Sequence, residues 1–385
     1  MDKIQISSHR PGQDDIVRNL FEKIKMETKD IVHPNIIVCG KTGVGKSTLI
    51  NNVFREDLAE TGIGRPVTQH LQIITKPDVP VTLYDTKGLE LSEKIQKQIK
   101  EEIIDVIQES EKSFNEEEYI HAIWYCVNSG ANRLEPLEAD MIKELVSEVN
   151  VPVIIVMTQS FPNGQAKAFK SSVENMNLNA SNVISVMAQD FEICEGQVIE
   201  AYGLDTLVEA TYNILPESVQ RGFINAQKAN ISAKANAAKK YANGYIASAF
   251  ATGFSPIPCS DAPVLIGLQV TMIAHITSIF GLPVDEGFIK AAVSSILGSA
   301  SATIAGKFIV SNLLKMIPVV GTAAGGIISG GTAALLTASI ARAYIKIMVF
   351  AVKKSYEGKK LQSEEIFKRL KHVFEEELKK GTDKI

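Results

Sequence analysis

The residues with the clearest chemistry form the stretch GKTGVGKST at positions 40–48. Its spacing follows the pattern G-x-x-x-x-G-K-[ST], in which glycines let successive backbone N–H groups turn inward around an anion. Lys46 is expected to reach the β- and γ-phosphates of a nucleotide, and Ser47 to ligate Mg²⁺. The residues predicted to bind nucleotide here are Lys41, Thr42, Gly43, Val44, Gly45, Lys46, Ser47 and Thr48.

The elements around this stretch support the same interpretation. The apolar run NIIVC at 35–39 predicts a strand, and LINNVF directly afterwards opens a helix. A helix N-terminus adds its partial positive charge to a bound phosphate. A glycine-rich turn that matches the pattern by chance is the alternative, but the strand-loop-helix context favours a P-loop.

Two further stretches supply oxygen ligands in the expected order. VTLYDTKG at 81–88 is a strand ending in D-x-x-G, where Asp85 can hold a Mg²⁺-bound water and Gly88 can offer its N–H to a γ-phosphate. Thr68 lies in GIGRPVTQ, a segment predicted to be flexible, at the spacing of a second Mg²⁺ ligand. Each residue alone has an ordinary explanation, but together they indicate a nucleotide switch. The predicted metal ligands are Ser47, Thr68 and Asp85.

The motifs GKTGVGKS, PVT and DTKG and the strand HAIWYCVNS resemble the GTPase domain of the Era, septin and immunity-related GTPase group. The resemblance covers about residues 30–215. It implies an α/β fold, a three-layer P-loop GTPase domain with a mostly parallel sheet, which binds GTP or GDP with Mg²⁺ and hydrolyses GTP. It also implies that Thr68 and Gly88 lie in segments that order around the γ-phosphate and relax after hydrolysis.

The base-reading motif departs from this group. Such proteins carry N/T-K-x-D, whose Asp accepts hydrogen bonds from guanine, whereas this chain has TQSF. Thr158 fits the first place and Gln159 could stack its aliphatic stem on the base, but Phe161 cannot replace a carboxylate. Asp190, in the next loop SVMAQD, could supply it. An ATP-binding protein therefore stays open as an alternative.

The catalytic positions also depart. Leu89 stands where a Ras-like protein holds the water-orienting Gln, and Gly43 stands where potassium-stimulated relatives carry Asn, so we expect slow intrinsic hydrolysis. Arg65, His70 and Arg133 are candidates to assist, within one chain or across a dimer. A solvated loop charge is the simpler interpretation of each, above all of His70 at the start of a strand. The predicted catalytic residues are Lys46, Thr68, Gly88 and Arg65.

Composition indicates a folded protein kept in the cytosol. The 385 residues are 45% apolar and 22% charged, and a net charge of -4 argues against nucleic acid as a primary partner. Four scattered cysteines without metal spacing favour free thiols in a reducing compartment. The N-terminus has no apolar signal segment, so we expect a cytoplasmic protein, peripheral at a membrane if the C-terminal region docks there.

Patterning predicts four regions. These are a lead-in helix in 1–33, the GTPase domain in 34–218, a hydrophobic helical domain in 219–356 and an amphipathic helix in 357–385. Short apolar runs predict strands in the region 34–218. The second and third of these strands are expected to form an antiparallel hairpin. The predicted strands are 35–39, 70–75, 80–85, 120–127, 152–157 and 182–187.

The Gly/Ala-rich region 219–356 contains two charge-free stretches, each longer than the roughly 18 residues of a membrane-span candidate. Three interpretations follow: an all-α bundle beside the GTPase domain, a bundle that enters or docks on membrane as the nucleotide changes, and a membrane hairpin. KMIPVVGTAAGG and PIPCSDAP resemble an uncharacterised hydrophobic helical domain found behind GTPase domains in many bacterial proteins.

These observations predict a GTP-binding, Mg²⁺-dependent switch protein that hydrolyses GTP slowly and couples its nucleotide state to a helical or membrane-associating domain. The alternatives are a septin- or dynamin-like assembly or membrane-remodelling module with little turnover, and an ATP-binding P-loop protein. The expected partners are guanine nucleotide, a second copy facing the nucleotide site, and a membrane contacted by the C-terminal domain.

Overall fold

The computed structural model describes residues 13–61, 63–86, 93–252, 261–297 and 330–382. The chain divides into two compact units. One is an α/β unit, Ile31–Ala233, and the other is a helical unit made of Met1–Asp30 and Lys234–Ile385.

Nine strands lie in the α/β unit: β1 Asn35–Cys39, β2 Ile63–Pro66, β3 Leu71–Lys76, β4 Val79–Thr86, β5 Ile120–Asn128, β6 Val153–Thr158, β7 Asn182–Ser185, β8 Phe191–Cys194 and β9 Gln197–Ile199. The α-helices of the described residues are α1 Gln13–Lys29, α2 Lys46–Val53, α3 Leu58–Thr61, α4 Glu93–Glu111, α5 Pro136–Glu148, α6 Gly164–Asn175, α7 Leu204–Ile214, α8 Glu217–Ala226, α9 Ile231–Thr252, α10 Asp261–Phe280, α11 Glu286–Leu297, α12 Gly330–Tyr356 and α13 Ser363–Thr382.

The main sheet has the strand order β2-β3-β4-β1-β5-β6-β7. Strands β4, β1, β5, β6 and β7 run parallel, while β3 is antiparallel to both β4 and β2. All six predicted strands are present, and the predicted β3–β4 hairpin is confirmed. The predicted mostly parallel α/β sheet is therefore confirmed.

Three strands were missed by the sequence prediction. β2 forms within GIGRPVTQ, where a flexible segment was predicted, because it pairs with β3 as an edge strand. β8 and β9 form a separate hairpin. The alternation of apolar and polar residues around Glu195-Gly196 is the signal that could have predicted this hairpin.

The sheet carries an apolar layer on each face. Along β5, Trp124 and Cys126 belong to one layer, and Tyr125 and Val127 belong to the other. A strand buried on both faces reads as a continuous apolar run, which explains AIWYCV at 122–127.

The end of the α/β unit lies beyond the predicted domain limit of 218. Helix α8 packs on β4, and its Val219, Phe223 and Ala226 are part of the core on one face of the sheet. The compact units consequently divide at 233/234, within α9.

In the helical unit, α1 packs on α10 and α11, and α13 packs on α11 and α12. The predicted amphipathic face of α13 is buried through Ile366, Leu370, Phe374 and Leu378.

Among the described residues, α12 is the one helix long and apolar enough to cross a membrane by length and composition, and 72% of its apolar window is buried. Arg342 and Lys346 lie on its exposed side, and the Lys346 ammonium lies 2.8 Å from the Glu377 carboxylate. In this structure α12 is the core helix of its unit.

Candidate nucleotide-binding site

The loop between β1 and α2 has a backbone that depends on glycine. Gly40, Gly43 and Gly45 have φ values of +140°, +76° and +95°. A Cβ on Gly40 would lie 2.4 Å from the Cys126 carbonyl oxygen, so the loop passes directly over β5. Gly45 precedes α2 without a side-chain cap, which leaves the N–H groups of the first turn for an anion.

Lys46 is the buried cation of this loop. Its side chain is 9% exposed, and its ammonium donates to the carbonyl oxygens of Gly40 at 2.8 Å and Lys41 at 3.2 Å. The neighbouring Ser47 is exposed. The backbone of the loop thus holds the Lys46 ammonium in place. From this position the ammonium can donate to phosphate oxygens.

Lys41 binds the start of α5. Its ammonium lies 2.7 Å from Glu135 and 3.2 Å from Glu138. Partial burial alone would lower the pKa of Lys41, but the hydrogen bonds and charges of Glu135 and Glu138 raise it overall. The side chain of Lys41 therefore anchors the loop, and the Glu135–Glu138 capping box is a site feature that the sequence analysis missed.

Asp85, the predicted metal-binding carboxylate, ends up beside this loop. Parallel pairing of β1 and β4 places it opposite Val38, two residues before Gly40. Burial first, and then the charge of Asp85, raise the pKa of the Cys126 thiol to about 12, while Lys46 lowers it. Val38 lies eight residues before Lys46 and just before the glycine loop, so the pairing places Asp85 at the sheet edge where that loop begins.

The donor set fits Mg²⁺, which prefers oxygen ligands from one or two protein groups plus phosphates. The Ser47 hydroxyl and the Asp85 carboxylate would hold the ion at this edge of the sheet. When bound there, it would neutralise phosphate charge.

Thr68 lies at the same edge but is engaged elsewhere. It precedes β3, whose Leu71 pairs with Thr86 of β4. Its hydroxyl donates to the Glu102 carboxylate of α4, and the same carboxylate binds His70. Burial would raise the pKa of Glu102, but the hydrogen bonds from Thr68 and His70 lower it overall.

The other candidates for catalysis lie as follows. Arg65 is exposed on β2, opposite Ile73 of β3. Arg133 is exposed near Glu135, whose pKa is lowered mainly by Lys41 and also by Arg133. Gly88 and Leu89 lie outside the described residues.

The first two residues of TQSF contact the phosphate loop. Thr158 is buried, and its hydroxyl lies 2.5 Å from the Val44 carbonyl oxygen and 3.0 Å from that of Val127. Gln159 has a φ of +50° and donates from its amide to the Gly43 carbonyl oxygen at 3.0 Å. Both side chains thus tie the end of β6 to the loop.

The last two residues of TQSF contact the neighbouring loop. The Ser160 N–H donates to the Val186 carbonyl oxygen at 3.1 Å, and the Phe161 ring meets Phe191 edge to face at 5.1 Å. Asp190 directly precedes Phe191, is exposed, and accepts a hydrogen bond from the Ala201 N–H at 2.8 Å. Asp190 is therefore adjacent in the chain to the residue that packs on Phe161.

A P-loop between β1 and α2, an aspartate near the end of the adjacent β4 and a mostly parallel sheet define a P-loop nucleotide-binding fold. Residues 35–159 match the family described as 50S ribosome-binding GTPase. The predicted resemblance to GTPase domains is thereby confirmed for this part of the chain.

Curated relatives are similar over part of the chain. Septin-12 of Homo sapiens is 26% identical over 186 residues, covering 41% of this chain and 51% of that protein. Cell division control protein 10 of Saccharomyces cerevisiae is 26% identical over 165 residues, covering 37% of this chain and 51% of that protein. Magnetosome membrane protein 22 of Magnetospirillum gryphiswaldense is 26% identical over 102 residues, covering 26% of this chain and 52% of that protein. The chain spans about half the length of these relatives.

Proposed function

We propose that this chain is a Mg²⁺-dependent GTP switch that hydrolyses GTP slowly on its own and couples its nucleotide state to the helical unit. The observation that carries the proposal is the loop of positive-φ glycines with Lys46, at the sheet edge that also carries Asp85. The physics of this loop favours binding of nucleotide phosphates whatever the base.

Guanine specificity rests on Asp190. TQSF has no carboxylate, and the packing of Phe161 on Phe191, the residue after Asp190, supports this proposal. A carboxylate there can accept both hydrogen bonds from the guanine N1 and N2 edge, which adenine cannot donate. Adenine recognition is the competing hypothesis.

Calorimetric titration of the full chain with GTP, GDP and a non-hydrolysable ATP analogue, all with Mg²⁺, tests this assignment. We expect a preference for guanine that Asp190→Ala removes, because the base then loses its charged acceptor. Glu192→Ala, at another exposed carboxylate of the same hairpin, is the matched control and should keep the preference. Equal or tighter binding of the ATP analogue by the wild type would refute the guanine assignment.

Slow hydrolysis is proposed because the water-orienting Gln position holds Leu89. Arg65 is the proposed supplier of positive charge, in its own site or across two facing nucleotide sites, because it is exposed on the edge strand β2. A specific activity that rises with protein concentration and falls in Arg65→Ala supports action across a dimer. A rate independent of concentration in both proteins contradicts it.

Assembly without appreciable turnover is the second candidate function. The similarity to septin-12 and to cell division control protein 10 favours it. Sedimentation and phosphate release with GTP, GDP and no nucleotide separate the two. A nucleotide-dependent oligomer that forms while no phosphate is released supports assembly, and a monomer or dimer that turns GTP over supports the switch.

Membrane contact is proposed for the helical unit, because α12 combines a mean hydropathy of 1.7 with a cationic exposed side. Flotation with vesicles containing anionic lipid tests it. We expect more bound protein with a GTP analogue than with GDP. Absence from the floating fraction in both states would leave α12 as a core helix only.

A further inference from the structure

We propose that Glu102 is a positioning residue that holds Thr68 away from Mg²⁺ until GTP binds, a role that rests on the proposed GTP switch. Thr68, His70 and Glu102 form what we call the Glu102 clamp. Glu102 touches neither nucleotide nor metal in this role and acts through Thr68.

The clamp is a two-armed carboxylate contact. One carboxylate oxygen of Glu102 accepts from the Thr68 hydroxyl and, at 3.1 Å, from the His70 backbone N–H. The other lies 2.8 Å from the His70 Nδ1 atom. The side chains of Glu102 and His70 are 21% and 16% exposed, so water competes little for these bonds.

The turn before β3 closes around the same hydroxyl. The Leu71 N–H donates to the Thr68 hydroxyl oxygen at 3.0 Å, and the Val67 N–H donates to the Leu71 carbonyl oxygen at 2.9 Å. The hydroxyl therefore gives its proton to Glu102 and receives the N–H of Leu71. A metal ion at this oxygen needs a lone pair aimed at the phosphate loop, so we infer that the clamp opens when Thr68 becomes a ligand.

The clamp also joins two stretches of chain that are 34 residues apart in the sequence. Thr68 lies between β2 and β3, and Glu102 lies in α4, the helix that follows the D-x-x-G motif. One carboxylate thus links the chain on both sides of the predicted γ-phosphate contacts. Opening the clamp would free the Thr68 stretch from α4, while α4 stays packed in the core through Ile99 and Ile103. The Thr68 stretch would then have two states that a ligand can bias.

Backbone hydrogen exchange of the nucleotide-free full chain tests the clamp without nucleotide. We expect Glu102→Ala to speed exchange at the His70 and Leu71 amides about tenfold, since it removes charged hydrogen-bond acceptors. Glu102→Gln keeps the shape without the charge and should give an intermediate change. Glu101→Ala, at the exposed neighbouring carboxylate of the same helix, should leave both amides unchanged.

Titration with a non-hydrolysable GTP analogue and Mg²⁺ tests the consequence. We expect Glu102→Ala to bind the analogue about tenfold more tightly while its GDP affinity stays the same, because only the γ-phosphate state needs Thr68 on the metal. In a Thr68→Ala background, Glu102→Ala should give no further gain.

The outcomes separate the two proposals. Faster exchange with unchanged or weaker analogue binding shows that Glu102 only supports the fold and overturns the positioning role. Unchanged exchange in Glu102→Ala overturns the clamp itself. If the wild type binds neither GTP nor GDP with Mg²⁺, the proposed switch fails and the positioning role fails with it, while the exchange data still decide whether the clamp exists.

Discussion

At the scale of single residues, the phosphate loop between β1 and α2 depends on glycines whose surroundings leave different amounts of space for a side chain. Gly40 has a φ of +140°, and its Cα lies so near β5 that a Cβ would overlap the Cys126 carbonyl oxygen. Gly43 has a φ of +76°, but a Cβ there would meet nothing within 4 Å. The two glycines thus share a backbone preference and differ in their surroundings.

This difference predicts two distinct costs. Gly43→Ala should lower the free energy of unfolding by about 1–2 kcal/mol, the cost of a left-handed backbone for a residue with a Cβ. Gly40→Ala adds a steric overlap to its backbone strain, and we expect a loss of roughly 3 kcal/mol or more together with loss of nucleotide binding. Urea unfolding measures both costs, and equal costs in the two variants would contradict the close approach of the loop to β5.

At the scale of elements, a buried histidine joins the beginnings of β1 and β5. The His121 Nδ1 atom accepts from the Asn35 N–H at 3.0 Å, and its Nε2 atom lies 3.0 Å from the Glu116 carbonyl oxygen. Nε2 must then carry the proton of a neutral ring, because a carbonyl oxygen only accepts. Burial lowers the pKa of His121, so a neutral ring is part of the native pairing.

Acid should therefore weaken the α/β unit. A histidine whose folded pKa is lowered takes up a proton more readily when unfolded, so its contribution is complete above the ordinary histidine pKa of about 6.5 and is lost as the pH falls below it. We expect the free energy of unfolding to drop between pH 7.5 and 5.5 by urea titration, and to drop less in His121→Gln. His372→Gln, at an exposed histidine of α13, serves as the control and should follow the wild type.

At the scale of the whole molecule, the two units have separate cores but are joined directly by the polypeptide chain at two points. The boundary at 233/234 falls within α9, and Asp30 is followed directly by Ile31 of the α/β unit. Two covalent connections, one of them helical, are thus available to carry a change of nucleotide state. This continuity supports the coupling in the proposed function.

Scanning calorimetry of the full chain tests that coupling. A non-hydrolysable GTP analogue with Mg²⁺ at 100 times its Kd should stabilise the α/β unit by about 2.7 kcal/mol and raise its transition by roughly 5–10 °C. If the units are coupled, the transition of the helical unit moves as well. Lys46→Ala should show neither shift, and a shift confined to the α/β unit would contradict coupling.

Much of the fold and part of the site could be predicted from sequence. The P-loop was identifiable because its glycines and the helix that follows are contiguous in sequence, and their backbone N–H groups form the anion site without distant residues. The six main strands were identifiable because strands buried on both faces are apolar throughout, and the hairpin of β3 and β4 is local. Asp85 followed from its place at the end of a predicted strand.

Tertiary structure alone decided how the polar side chains are partnered. Thr68 meets Glu102, 34 residues later, and Lys41 meets Glu135 across 94 residues, and no local pattern encodes either pair. β2 is a strand because its backbone pairs with β3. The relation of Phe161 to Asp190 likewise depends on the packing of Phe161 on Phe191, the residue after Asp190. The physical reason is that a hydrogen bond or ion pair depends on where both partners lie after the sheet has formed, whereas a glycine turn or an apolar strand depends on neighbouring residues in the chain.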